Sequence, residues 1–156
     1  MIIFFARYDI LESITKEGDL MTKEKSCGAV IFRKHQNRLQ YVLVQQRYTL
    51  HYGFPKGHVE SNESEIMTAY REVKEETGLD VEIYDHIKGK THYSPKPGVI
   101  KEVVYFLAQA KTFLLQKQET EIADAMWVDE HQVLDLLSFP ADKKLFKSVR
   151  KKAKSS

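Results

Sequence analysis

The segment from Gly57 to Leu79 reads GHVESNESEIMTAYREVKEETGL, and its centre has one dominant period. At about 100° per residue, Ile66, Ala69, Tyr70, Val73 and Thr77 fall on a single stripe able to lie on a sheet. This predicts a helix over 62–77. Ser61 and Asn62 are candidate N-caps, and Gly78 sits where a left-handed residue would end the helix. Glu72, Glu75 and Glu76 line one side beside the stripe, with Glu72 and Glu76 nearly stacked about 6 Å apart along the axis. Stacked like charges repel. Solvent screening on an ordinary charged face would relieve that repulsion, whereas a hard divalent cation would turn it into binding, because Mg²⁺ takes carboxylate oxygens and keeps water for substrate phosphates.

The residues just before the helix, HYGFPKGHVE, combine two glycines, a proline, two histidines and a lysine. Gly53 and Gly57 permit tight turns, Pro55 stiffens the chain between them, and Gly57 can bring a backbone oxygen close to an ion held by the helix. Lys56 and His58 would then face an anion, and phosphate fits metal and basic side chains acting together. Taken alone, each segment also reads as structure: a solvated acidic face and a stiff turn.

Outward from this centre, Cys27–Phe32 and Leu39–Gln46 read as neighbouring strands around a polar turn over 34–38. Leu79–Ile87 and Val99–Ala110 read as longer strands, joined by GKTHYSPKPG, whose prolines and glycines predict a long mobile loop able to fold over a ligand. Ala125–Val128 reads as a short strand, Glu130–Leu137 as a short helix and the stretch from Ala141 as a final helix with a basic end. The order predicts an α/β fold, a mixed sheet packed by helices on two faces. One domain suits 156 residues. Residues 1–21 read as an N-terminal extension forming a surface hairpin or short helix; translation from Met21 would omit its first 20 residues while keeping every periodic element. The domain proper is 22–156.

Lysine and arginine number 24 against 22 acids, so a charge of +2 gives no reason to expect a broad DNA-binding surface. Apolar runs fall short of the roughly 20 residues that cross a bilayer. The lone Cys27 excludes an internal disulfide framework and a multi-cysteine zinc site, makes the cytoplasm the default compartment and reads as a buried thiol. Trp127 reads as core.

Gly57, Glu63, Arg71, Glu72, Val73, Glu75, Glu76, Gly78 and Leu79 match every fixed position of the signature of the Nudix hydrolases, and the chain resembles that family. The resemblance implies an α-β-α sandwich around a central mixed sheet, and Mg²⁺, with Mn²⁺ as substitute, held by Gly57, Glu72, Glu75, Glu76 and Glu121. Glu119 competes with Glu121 for the last place. Glu72, Glu76, Glu121 and Arg71 form the implied catalytic group; Glu72 binds metal or deprotonates water, and Arg71 acts through an ion pair with Glu63. Within the family, Tyr52, Pro55, Lys56, Gly57, His58, Val59 and Glu60 look most like the asymmetric diadenosine tetraphosphate hydrolases, as do Lys101, Tyr93 and Glu121 before Trp127. Ser61 and Asn62 depart from the commoner Pro-Gly turn. The implied reaction is cleavage of diadenosine tetraphosphate to ATP and AMP by metal-activated water. Tyr52 and Tyr93 would offer faces to adenine, and Lys56, His58 and Lys101 would line the phosphates. Nucleoside triphosphates, RNA 5′ ends and diphosphoinositol phosphates are alternative substrates of the same chemistry, and a non-enzymatic nucleotide-binding module is the alternative without turnover. The oligomeric state stays open.

Overall fold

The computed structural model describes residues 10–14 and 20–154. The expected extension over 1–21 therefore lies largely outside the described residues. Within it, β1 (Ile10–Ile14) pairs antiparallel with the start of β2 (Leu20–His35).

The sheet is mixed, in the order β4-β3-β2-β7-β6, with β3 (Arg38–Gln46), β4 (Tyr52–Gly53), β6 (Val81–Lys96) and β7 (Val99–Ala110). β2 and β7 run parallel; β5 (Lys56–His58) pairs antiparallel with β2, and β8 (Ile122–Asp129) antiparallel with β3. Two-residue alternation divides the apolar side chains between the faces. Ala29, Ile31, Val42, Val104 and Phe106 join a core with α1 (Glu65–Thr77), while Val30, Tyr41, Leu43, Tyr105 and Leu107 join one with α2 (Glu130–Leu136) and α3 (Pro140–Lys154). The sandwich is the one the element order predicts.

Several local expectations need correction. The N-cap of α1 is Ser64, whose side chain accepts from the Met67 amide at 3.1 Å, so the helix starts later than Ser61 or Asn62 would place it. Asn62 instead takes a left-handed turn conformation, φ 69°. Gly78 ends the helix as expected, at φ 74°. Tyr70 is half out of the apolar stripe, its hydroxyl accepting from the Ile83 amide at 3.1 Å, whereas Glu72 and Glu76 are buried.

The expected mobile loop over 89–98 is also absent. β6 continues through it to Lys96 and turns back into β7 at Pro97 and Gly98. With φ 81° at Gly98, this turn follows the Pro-Gly order of a type II turn, so the residues that suggested a loop make a tight hairpin end. Tyr93 thus lies on a strand, opposite Lys101. Cys27 is fully buried and burial pushes its thiol up to about 12, in keeping with an inert core residue. Trp127 packs against the α1-side core with Arg33 lying 4.2 Å above its ring.

Candidate active site

Pairing of Ser26, Cys27 and Gly28 with His58, Gly57 and Lys56 fixes β5 beside the centre of the sheet, and α1 packs over both strands. One helical turn separates Glu72 from Glu76, so both carboxylates meet β5. A Cβ at Gly57 would collide with the Glu72 carboxyl. The missing side chain is what lets the acid reach the backbone.

Arg71 organises the acids. Its Nε donates to Glu63 Oε2 at 2.7 Å and its Nη2 to Glu63 Oε1 at 2.9 Å, a two-pronged pair made rigid by the planar guanidinium. Nη2 also donates to the His58 carbonyl at 2.9 Å, and Nη1 to Glu72 Oε1 at 2.7 Å. Glu75, more exposed, lies 3.3 Å from Nη1. Glu63 in turn accepts from Thr68 Oγ1 at 2.9 Å and the Glu60 amide at 3.0 Å. These donors, Arg71 foremost, hold the Glu63 carboxyl down at about 2.

Glu72 and Glu76 have the opposite electrostatics. Burial pushes both carboxyls above the ordinary range, against the opposing Arg71 charge at Glu72; at Glu76 the negative Glu72 adds to burial and the shift is large. The Lys56 backbone N–H donates to the Glu76 carboxylate, yet Glu76 Oε1 is buried with no hydrogen-bond partner among the described residues. Leaving a buried acceptor unmatched costs about 1–3 kcal/mol, and more for a charge. A hard cation would remove that cost.

Glu121, just before β8, is exposed but close enough to raise the carboxyls of both Glu72 and Glu76. Its competitor Glu119 points to Arg47 at 3.5 Å and Lys117 at 4.0 Å. Among the described residues no three His, Cys, Asp or Glu side chains converge on one ready-made metal position. Arg71 holds one Glu72 oxygen. The orphaned Glu76 oxygen and the all-oxygen donors nevertheless fit a hard divalent cation.

Beside the carboxylates lies a cavity of about 500 Å³. Tyr52, Lys56 and Tyr93, three of the residues expected to meet substrate, line it. Lys101 and His58 are set alongside, outside its lining: Lys101 Nζ lies 3.4 Å from His58 Nε2, and His58 Nδ1 lies 3.2 Å from Ser26 Oγ. Burial and then the Lys56 charge lower the Lys101 amine to about 7.

The domain model for the NUDIX domain matches residues 22–149. The chain belongs to the Nudix family. It is a Nudix hydrolase, acting on phosphoanhydride bonds. The mouse asymmetrical bis(5'-nucleosyl)-tetraphosphatase is 30% identical over 128 residues, 74% of this chain and 85% of that protein. The corresponding Caenorhabditis elegans protein is 37% identical over 89 residues, 54% of this chain and 64% of its own. A crystal structure of a C. elegans Ap4A hydrolase binary complex superposes with a TM-score of 0.78 at 26% identity, covering 85% of this chain and 98% of that one.

Sequence reasoning missed part of this cavity. His51, Phe139 and Asp142 also line the cavity. His51 and Phe139 pack edge to face with centroids 4.7 Å apart. Tyr52 N donates to Ser138 Oγ at 2.8 Å and Ser138 N to the Tyr52 carbonyl at 3.1 Å, tying β4 to the start of α3. The one available signal was Phe139-Pro140: proline opens a helix readily, and the residue before it is turned out of helical geometry. That marks an aromatic at a corner, but not what the corner faces.

Proposed function

We propose that this Nudix hydrolase cleaves diadenosine tetraphosphate asymmetrically, to ATP and AMP, with Mg²⁺ as its ion and Mn²⁺ as a substitute. The supporting observation is the double position of Lys56. Its backbone N–H bonds Glu76 among the carboxylates, and its residue lines the aromatic cavity, so one strand joins a phosphate-cleaving centre to a nucleoside-sized space. A base between aromatic walls and a phosphate chain running past Lys56 toward His58 and Lys101 satisfies both halves.

Glu72, Glu75, Glu76 and Glu121, with the Gly57 backbone, would hold the ion. When bound, it supplies charge neutralisation for the phosphate oxygens and acidifies water. With Arg71 bonded to Oε1, Oε2 of Glu72 would serve as ligand or as acceptor of the water proton. Arg71 is a positioning residue, since its donors are committed to Glu63, His58 and Glu72. Lys56 and Lys101 counter the charge of the phosphates farther along the chain.

Hydrolysis in ¹⁸O-labelled water tests the reading: label enters AMP and not ATP. Two ADP per substrate, or no turnover of diadenosine tetraphosphate beside rapid turnover of a nucleoside triphosphate or an RNA 5′ end, would overturn it.

A further inference from the structure

Asp142 has no place in the carboxylate centre, yet it is one of the few buried charged residues, 8% exposed, and it lines the cavity. An acid in the first turn of a helix is ordinarily a solvated partner of the helix dipole. Asp142 has given up that solvent. Its side chain makes no hydrogen bond among the described residues, and Lys56 acts on it through charge alone. Oδ2 faces β4, 3.6 Å from where a Cβ of Gly53 would stand, and Gly53 and Asp142 both line the cavity wall. Tyr52 and Tyr93 supply apolar surface around it. Flat apolar walls with one unmatched acceptor suit a nucleobase that presents an N–H donor.

We propose that Asp142 is a base-specificity residue, accepting a hydrogen bond from the exocyclic amino group of adenine in this cavity. The inference rests on the reading that the cavity takes the nucleoside end of the substrate. Burial raises the Asp142 carboxyl above its ordinary value and Lys56 opposes the rise, which matches an acceptor awaiting a donor in a dry site. A base without an amino group would leave this acceptor unmatched, and sites built on a buried polar partner discriminate strongly against analogues that lack it. Stacking between the walls would bind any purine; Asp142 would choose among them.

The test compares AMP with purine riboside 5′-monophosphate, which lacks the amino group, by calorimetric titration of the full chain without turnover. The parent is expected to prefer AMP by roughly 10-fold, the equivalent of one charged hydrogen bond. In Asp142→Ala the ratio should fall to about one, and in Asp142→Asn, whose amide oxygen still accepts, a preference should return. Should Asp142→Ala fail to fold, the parent's rejection of N6,N6-dimethyl-AMP, which has no N–H to give, carries the same information. A parent with no preference, an unchanged ratio in Asp142→Ala, or equal weakening of both nucleotides by the two variants would overturn the proposal. Because the ratio needs no hydrolysis, it stands or falls apart from the ¹⁸O product assay.

Discussion

Gly57 and Glu72 share a space that holds only one side chain: a methyl group on Gly57 would occupy the position of the Glu72 carboxyl. The pair ties the β5 backbone to the helix. Glu72 is thereby held between Gly57 on one side and Arg71 Nη1, 2.7 Å away, on the other. Gly57→Ala should leave the protein folded while displacing this carboxylate, and a displacement near 1 Å in a reacting constellation costs on the order of 100-fold in rate. Steady-state kinetics beside a thermal melt separates the two effects; full activity in a well-folded variant would remove the contact from the mechanism.

Glu76→Gln should move stability and activity in opposite directions. The carboxylate is buried with one oxygen unmatched, so replacing it by a neutral amide should raise the melting temperature of the metal-free protein. Turnover should fall by roughly 100-fold or more with loss of a fixed charge at the centre. Adding Mg²⁺ should stabilise the parent and scarcely affect the variant. Equal Mg²⁺-dependent melting shifts in the two proteins would take Glu76 out of the ion site.

Acid should expose the Arg71–Glu63 pair. The Glu63 carboxyl is held at about 2 in the folded chain by Arg71 and its other donors, below its ordinary 4.5. Its stabilising contribution is complete above about 4.5 and is lost as the pH falls toward 2, because the unfolded chain takes up the proton first. Denaturant midpoints from pH 6 to pH 2.5 should fall more steeply for the parent than for Glu63→Gln over that window. Parallel curves would show that the pair does not govern acid stability.

Lys101 should set an alkaline limit on substrate binding. With its amine lowered to about 7 by burial and by Lys56, it is a cation below that pH and loses its charge above it. KM for diadenosine tetraphosphate should rise as the pH passes 7, while Lys101→Arg, which stays charged, should give a flatter profile. Lys101→Ala should raise KM at pH 6 with metal affinity unchanged. Identical profiles for parent and Lys101→Arg would assign the pH dependence to another group.

The residues proposed for the reacting centre were legible in the sequence because they are local. Gly57, Glu63, Arg71, Glu72, Glu75, Glu76 and Gly78 lie within one turn and one helix, where 3.6-residue periodicity and a glycine stop fix which groups stand together. The same holds for the strands, since alternation of apolar residues reports which faces are covered. Composition misled where turn chemistry decided: Pro97 and Gly98 close a tight hairpin, and Tyr93 rides on the strand leading into it.

The aromatic cavity could not be read this way. Tyr52, Tyr93 and Asp142 come from β4, β6 and α3, elements far apart in the chain, and share one cavity, with Ser138 clamping β4 to the start of α3. Nor does a sequence show that Asp142 is buried while Glu119 turns away to Arg47. Burial and electrostatic surroundings are sums over every neighbouring element. Short-range spacing determined the chemistry of this chain; the packing of distant strands and helices decided the shape and polarity of the space in which it acts.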